Sequence, residues 1–253
     1  MTLSRLFYDV PLAHRALHNV SDGRPENSRA AIRAAIAAGY GIEIDVQLSA
    51  DGAAMVFHDY ALERLTGEKG AIRLRPASEL GKIKLLGGDE GIPDLEEVLD
   101  LVAGQVPLVI EVKDQDGGMG QDIGPLEDAV VAGVKGYAGP LALMSFNPNV
   151  VARLAETLPD VPRGIVTSAY RYEDWPLPRA TCDQLRQIPD FERVGASFVS
   201  HEVDDLSTPR VAEIKDQGAM IFCWTVRSAE QASEARKIAD NITFEGFLPA
   251  LTA

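Results

Sequence analysis

Apolar and polar positions alternate along this chain in two rhythms. Short apolar runs occur at Pro11–His14, Gly41–Leu48, Ala53–Phe57, Pro107–Lys113, Pro140–Phe146, Arg163–Thr167, Ala196–His201, Ala219–Val226 and Asn241–Phe244. Their length and β-branched content predict strands. Between most of them lie stretches of helical period, at Glu26–Ala38, Asp94–Ala103, Pro125–Gly136, Pro148–Leu158, Thr208–Gln217 and Ala229–Ala239. Asn27 is placed to cap the first helix and Gly39 to stop it. Asp94, with Glu97 three residues later, has the form of a capping box. Strands alternating with helices imply a largely parallel sheet. Roughly eight such units predict an α/β fold, a TIM-type (β/α)8 barrel. It is read as one domain over 1–253.

The strand candidates are one too many for that barrel, and the excess lies in Gly41–His58. Asp51-Gly52 is a strong two-residue hairpin signal there, which makes the two flanking strands antiparallel. With Ala50 paired to Ala53, Asp45 falls directly opposite His58, with Cβ atoms ~5 Å apart. Glu43 shares that face. A slip of one residue would turn His58 to the other face. Two stretches break the alternation. Residues 60–91 are rich in glycine and charge and read as a small insertion after the third strand, with one short helix at Pro76–Leu80. Ala169–Pro189 carries Tyr170, Tyr172 and Trp175 and reads as a long aromatic loop. Loops of that length on a barrel build its active face.

The polar residues that interrupt the strands carry the chemistry. Outward-facing residues of a barrel strand meet helices and are apolar, as Leu108, Ile110 and Val112 are. Glu111 and Lys113 therefore point inward, and Ile42, Ile44 and Val46 argue the same for Glu43 and Asp45. Three inward carboxylates repel one another unless a cation holds them. An all-oxygen set suits Mg²⁺ or Ca²⁺, and no Cys/His set favours zinc. Without a metal, Glu111, Lys113 and Arg15 would form a buried ion network. His14 and His58 end apolar runs and titrate near neutrality, so they can divide base and acid work. Arg15 can grip a phosphate through two parallel hydrogen bonds, and Lys113 adds a point charge. A metal site beside a proton-transfer pair fits cleavage of a phosphate ester. Glu26 either serves the following helix through its dipole or joins the site. Trp224, a candidate substrate contact, and Phe146 either wall the pocket or pack in the core. His18 reads as a loop residue and His201 as a structural one.

Charge narrows the partners. With 24 Lys+Arg against 38 Asp+Glu the net charge is −14. Such a surface repels nucleic acid and anionic lipid, so a phosphate substrate needs locally placed cations and a metal. Cys182 and Cys223 form no ligand spacing and read as reduced thiols of a cytoplasmic protein. The first ten residues hold no apolar stretch of signal-peptide type, and no run approaches the ~18 apolar residues of a membrane span. The expectation is a cytoplasmic protein with no membrane anchor and no nucleic-acid partner, its oligomeric state open, a homo-oligomer included.

Taken in order, these residues resemble the glycerophosphodiester phosphodiesterase family. The matching pieces are His14-Arg15, Pro25-Glu26-Asn27-Ser28, Glu43-Ile44-Asp45-Val46, Asp51-Gly52, Phe57-His58-Asp59, Leu62-Glu63-Arg64-Leu65-Thr66, Ile92-Pro93-Asp94, Glu111-Val112-Lys113, Ser145-Phe146 and Trp224-Thr225-Val226. The resemblance implies a TIM-type barrel with an insertion after the His-Asp strand. It implies a divalent metal on Glu43, Asp45 and Glu111, with Glu26 nearby. It implies His14 and His58 as general base and acid, with phosphate held by Arg15 and Lys113. The substrate would be a small glycerophosphodiester, attacked by its own neighbouring hydroxyl through a cyclic phosphate that water then opens. The products would be glycerol 3-phosphate and an alcohol such as choline or ethanolamine. The chain departs from the family pattern at Ala16, where the family has glycine, at Arg227 for asparagine, and at Phe244-Glu245 for aspartate. Alternatives are a phospholipase-like or cyclising enzyme on the same barrel, or a metal- and phosphate-binding protein without turnover.

Overall fold

The computed structural model describes residues 3–251; Met1 and Thr2, part of the segment read above for a leader, lie outside it. A short helix α1 (Leu6–Asp9) leads into β1 (Leu12–Ala13) and α2 (Arg29–Ala38). Then come β2 (Gly41–Leu48), β3 (Ala54–Val56), α3 (Glu63–Thr66), α4 (Ala77–Leu80) and α5 (Leu95–Val102). The rest alternates: β4 (Leu108–Val112), α6 (Pro125–Val134), β5 (Leu141–Ser145), α7 (Pro148–Thr157), β6 (Arg163–Thr167), α8 (Arg179–Arg186), β7 (Phe198–Glu202), α9 (Pro209–Asp216), β8 (Met220–Val226), α10 (Ala229–Ala235) and β9 (Asn241–Phe244). Parallel pairing runs from β2 through β4 to β9, and β1 joins both β9 and β2, which closes the ring. The surplus strand is β3. It pairs antiparallel with β2, as the hairpin signal implied.

Period-two alternation decides what lies inside. Ile42, Ile44 and Val46 of β2 and Leu108, Ile110 and Val112 of β4 face outward into the main core, against apolar faces such as Ala31, Ile32 and Ala35 of α2 and Val98, Leu99 and Val102 of α5. The inward positions at the start of the strands form a separate apolar plug of Val109, Ala142, Phe198, Met220 and Phe222. Phe7 of α1 caps it, with ring centroids 6.3 Å from Phe222. Gly164 of β6 is required here, because a Cβ at that position would lie 2.3 Å from the Phe198 ring. The Asn241 amide ties α1 down by donating to the carbonyls of Phe7 and Val10.

Several expected local details differ. Ser28 caps α2, accepting from the Ala31 amide, while Asn27 adopts a left-handed φ of 58° and turns its side chain to Asp45. Gly39 stops that helix with φ +76°, and Asp94 and Glu97 form the capping box, both as read from the sequence. The hairpin loop has three residues, not two: Ser49 N–H donates to the Ala53 carbonyl, and Gly52 takes φ +86°. Val46 therefore pairs with Val56, and Asp45 stands opposite Phe57 instead of His58. Residues 60–91 hold α3, a 3₁₀ turn and α4 around a satellite core that includes Phe57, Leu62, Ile72 and Leu80. The aromatic stretch 169–189 is not all loop. It contains α8, whose Cys182 and Leu185 pack with Tyr170.

Candidate active site

At the C-terminal ends of the strands lies a cavity of about 160 Å³. His14, Arg15, Glu43, Asp45, His58, Glu111, Lys113 and Trp224, all singled out in the sequence, line it together. Glu43 and Asp45 sit two apart on β2 and so share its inner face. Parallel register sets Asp45 beside Glu111 of β4. The three carboxylates are buried and each offers an oxygen within 4.8 Å of the others. Lys113 Nζ bridges two of them, 2.7 Å from Asp45 Oδ1 and 2.6 Å from Glu111 Oε1. Arg15 donates its backbone N–H to Glu43 at 2.9 Å and its Nη1 to Glu26 at 2.7 Å.

These contacts divide the acids. Burial would raise Asp45, but Lys113, His58 and Arg15 hold it far below the usual carboxylate range. Burial would lower Lys113, but Asp45 and Glu111 carry it above its ordinary value. Glu43 is compensated less: burial, then repulsion from Asp45 and Glu111, outweigh the Arg15 N–H and the Lys113 charge and push it well above 4.5. A hard cation is the partner such an oxygen set lacks, so the residues fit a divalent metal of the Mg²⁺ or Ca²⁺ type.

Each histidine is held by its own carboxylate. His14 Nδ1 lies 2.7 Å from Glu245 Oε2, and burial lowers its pKa below 6.5, with Glu245 partly restoring it. Glu245 follows β9 and also pairs with Arg227 at 2.8 Å. His18 stands at the rim, 3.6 Å from the same carboxylate. His58 Nδ1 lies 2.7 Å from Asp59 Oδ1. The pairing slip would have carried His58 away from the acids had the ladder continued. β3 ends at Val56 instead, the chain turns, and Gln47 Nε2 fixes the bend by donating to the His58 carbonyl at 3.0 Å.

Arg64 of α3 ties the two sides together, reaching Asp59 at 2.6 Å and Glu26 at 2.8 Å. Glu26 thus pairs with Arg15 and Arg64 and lies outside the carboxylate triad. Glu245 and Arg64 entered the sequence reading only through the family comparison and were given no role there. The first ends an apolar run with an acid, the same signal that marked the others. Trp224 walls the cavity, with its Nε1 donating to the Ser200 carbonyl and its ring edge-on to Phe146 at 5.5 Å. His201 takes no part. It is buried between Thr167 and Asp205, on the outward face of β7.

The profile of the glycerophosphoryl diester phosphodiesterase family matches residues 14–241. The chain belongs to that family. It shares the family's enzyme class, a phosphodiesterase of glycerophosphodiesters. A glycerophosphodiester phosphodiesterase of Caldanaerobacter subterraneus subsp. tengcongensis is 30% identical over 87% of this chain and 86% of its own. Among solved structures, an Oleispira antarctica phosphodiesterase in complex with the product sn-glycerol-3-phosphate superposes with a TM-score of 0.74 at 26% identity, covering 92% of this chain and 91% of that one. A Thermotoga maritima glycerophosphodiester phosphodiesterase gives 0.70 at 25% identity, covering 93% and 94%. Among the described residues no helix is long and apolar enough to cross a membrane.

Proposed function

We propose that the chain hydrolyses small glycerophosphodiesters with a divalent cation on Glu43, Asp45 and Glu111, His14 as general base and His58 as general acid. The observation that carries this reading is the carboxylate triad sharing one cavity with two histidines, each gripped at Nδ1 by an acid. The cation, when bound, would offset charge on the phosphoryl oxygens. Arg15 and Lys113 supply further positive charge at the same cavity.

Glu245 accepts from His14 Nδ1–H, which leaves Nε2 as the basic nitrogen, and burial keeps the ring neutral near pH 7. His14 takes the proton of the attacking hydroxyl as its oxygen bonds to phosphorus. His58, held at Nδ1 by Asp59, gives a proton to the departing alcohol oxygen as its bond to phosphorus breaks. If the attacking group is the substrate's own glycerol hydroxyl, a cyclic phosphate results. Water then opens it with the relay reversed: water loses a proton to His58, and His14 returns one to the glycerol oxygen. The product named for the Oleispira antarctica barrel, sn-glycerol-3-phosphate, agrees with this outcome. Two buried free thiols, Cys182 and Cys223, suit a reducing cytoplasm.

The test is release of glycerol 3-phosphate from glycerophosphocholine and glycerophosphoethanolamine in Mg²⁺, Ca²⁺ or EDTA. Release that needs metal and disappears in His14→Ala and Glu43→Ala is expected. Undiminished release in EDTA would remove the cation from the mechanism, and no release from either diester would sink the hydrolase reading.

A further inference from the structure

Beside the catalytic cavity opens a second, larger one of about 420 Å³, and His58, Glu111, Lys113 and Phe146 line both. Phe146 is the partition. Its ring meets Trp224 on one side and Trp175 on the other, the latter at 5.0 Å. Trp175 belongs to the aromatic stretch before α8, and Tyr170 backs it at 4.9 Å. Tyr60, half exposed, and Met119 complete the apolar wall. On the reading above, His58 protonates the leaving alcohol, so the alcohol must depart on the His58 side, into this cavity.

Apart from the reacting groups, His58 and Glu111, the polar side chains of that wall are already engaged. Tyr60 Oη donates to the Asp114 carbonyl at 2.7 Å. The Asp114 carboxylate accepts from the amides of Asp116, Gly117 and Met119 and from Asn147 Nδ2. Asp59 is held by His58 and Arg64, and the Lys113 ammonium by Asp45 and Glu111. Away from His58 and Glu111, a polyol, or a primary ammonium with three N–H groups, would give up water there and find few new partners. A quaternary ammonium has no hydrogen bonds to lose, and aromatic faces beside carboxylates attract it. We infer that this cavity is the leaving-alcohol subsite and that Trp175 selects quaternary ammonium alcohols over polyols and primary amines.

The experiment compares kcat/KM for glycerophosphocholine, glycerophosphoethanolamine and glycerophosphoglycerol in the metal-loaded wild type, Trp175→Leu and Trp175→Phe. A choline preference of about tenfold is expected in the wild type, lost through KM in Trp175→Leu and largely kept in Trp175→Phe. Equal kcat/KM for the three diesters, or a preference that Trp175→Leu leaves untouched, overturns the inference while leaving the hydrolase reading standing. Titration with choline chloride, read by tryptophan fluorescence, needs no turnover and separates the two ideas. Saturable quenching that vanishes in Trp175→Phe supports the subsite even if no diester is cleaved. Absence of quenching in the wild type overturns it.

Discussion

The two ends of the barrel interior are built on the same strands and could hardly differ more. At the N-terminal end the inward residues are Leu12, Val109, Ala142, Phe198 and Phe222, sealed by Phe7. Two or four residues further along, the same faces carry His14, Glu111, Lys113, Phe146 and Trp224 around a cavity. One end is a close-packed plug with the Phe198 and Phe222 rings 4.8 Å apart, and the other is a set of opposed charges. The plug can therefore support a costly arrangement of buried acids, because packing density there fixes the strand register on which the acids depend.

Separating these roles is the sharpest use of mutagenesis. His58→Ala or His14→Ala should lower kcat by about 10²–10⁴-fold, with thermal unfolding near that of the wild type. Phe222→Ala should do the reverse, costing about 3–5 kcal/mol in denaturant unfolding while the folded fraction retains its kcat. Loss of activity in both classes with equal loss of stability would erase the division. A finer probe is Glu245→Gln. With His14 as the proposed base, activity should fall as pH drops through its pKa, which burial has already lowered. Glu245 raises that pKa, so its neutralisation should move the acid limb of the kcat/KM profile to still lower pH. An upward move would contradict the pairing. The smallest effect is expected at Ala16, held at φ 64° where the family carries glycine. Ala16→Gly should relieve left-handed strain and stabilise the fold by about 1 kcal/mol at most in thermal unfolding.

The charged end was the more legible in the sequence. Acids at alternate positions of Gly41–Leu48 cannot all face helices, so Glu43 and Asp45 declare which side is inside. The surplus strand was visible from Asp51-Gly52 as well. The register was not, since Ala50-Asp51-Gly52 serves a three-residue loop as readily as a two-residue one, and the turn at Phe57 that rescues His58 depends on β3 ending early. Asn27 has the chemistry of a cap but hydrogen-bonds Asp45, a tertiary contact that no local rule encodes. α8 hid because its sequence, Arg-Ala-Thr-Cys-Asp-Gln-Leu-Arg, buries only Cys182 and Leu185. Glu245 lies beyond the matched residues 14–241, and its meaning comes only from a residue at the other end of the chain.

That last contact has a consequence for how the protein is made. His14 and Glu245 are 231 positions apart, and β1, two residues long, is pinned between β2 and β9. A nascent chain that has not yet emitted β9 has neither the ring nor the carboxylate that orients His14. Activity is thereby deferred until β9 has been made, and a product truncated ahead of β9 would be born inert, with an open sheet edge for quality control to find.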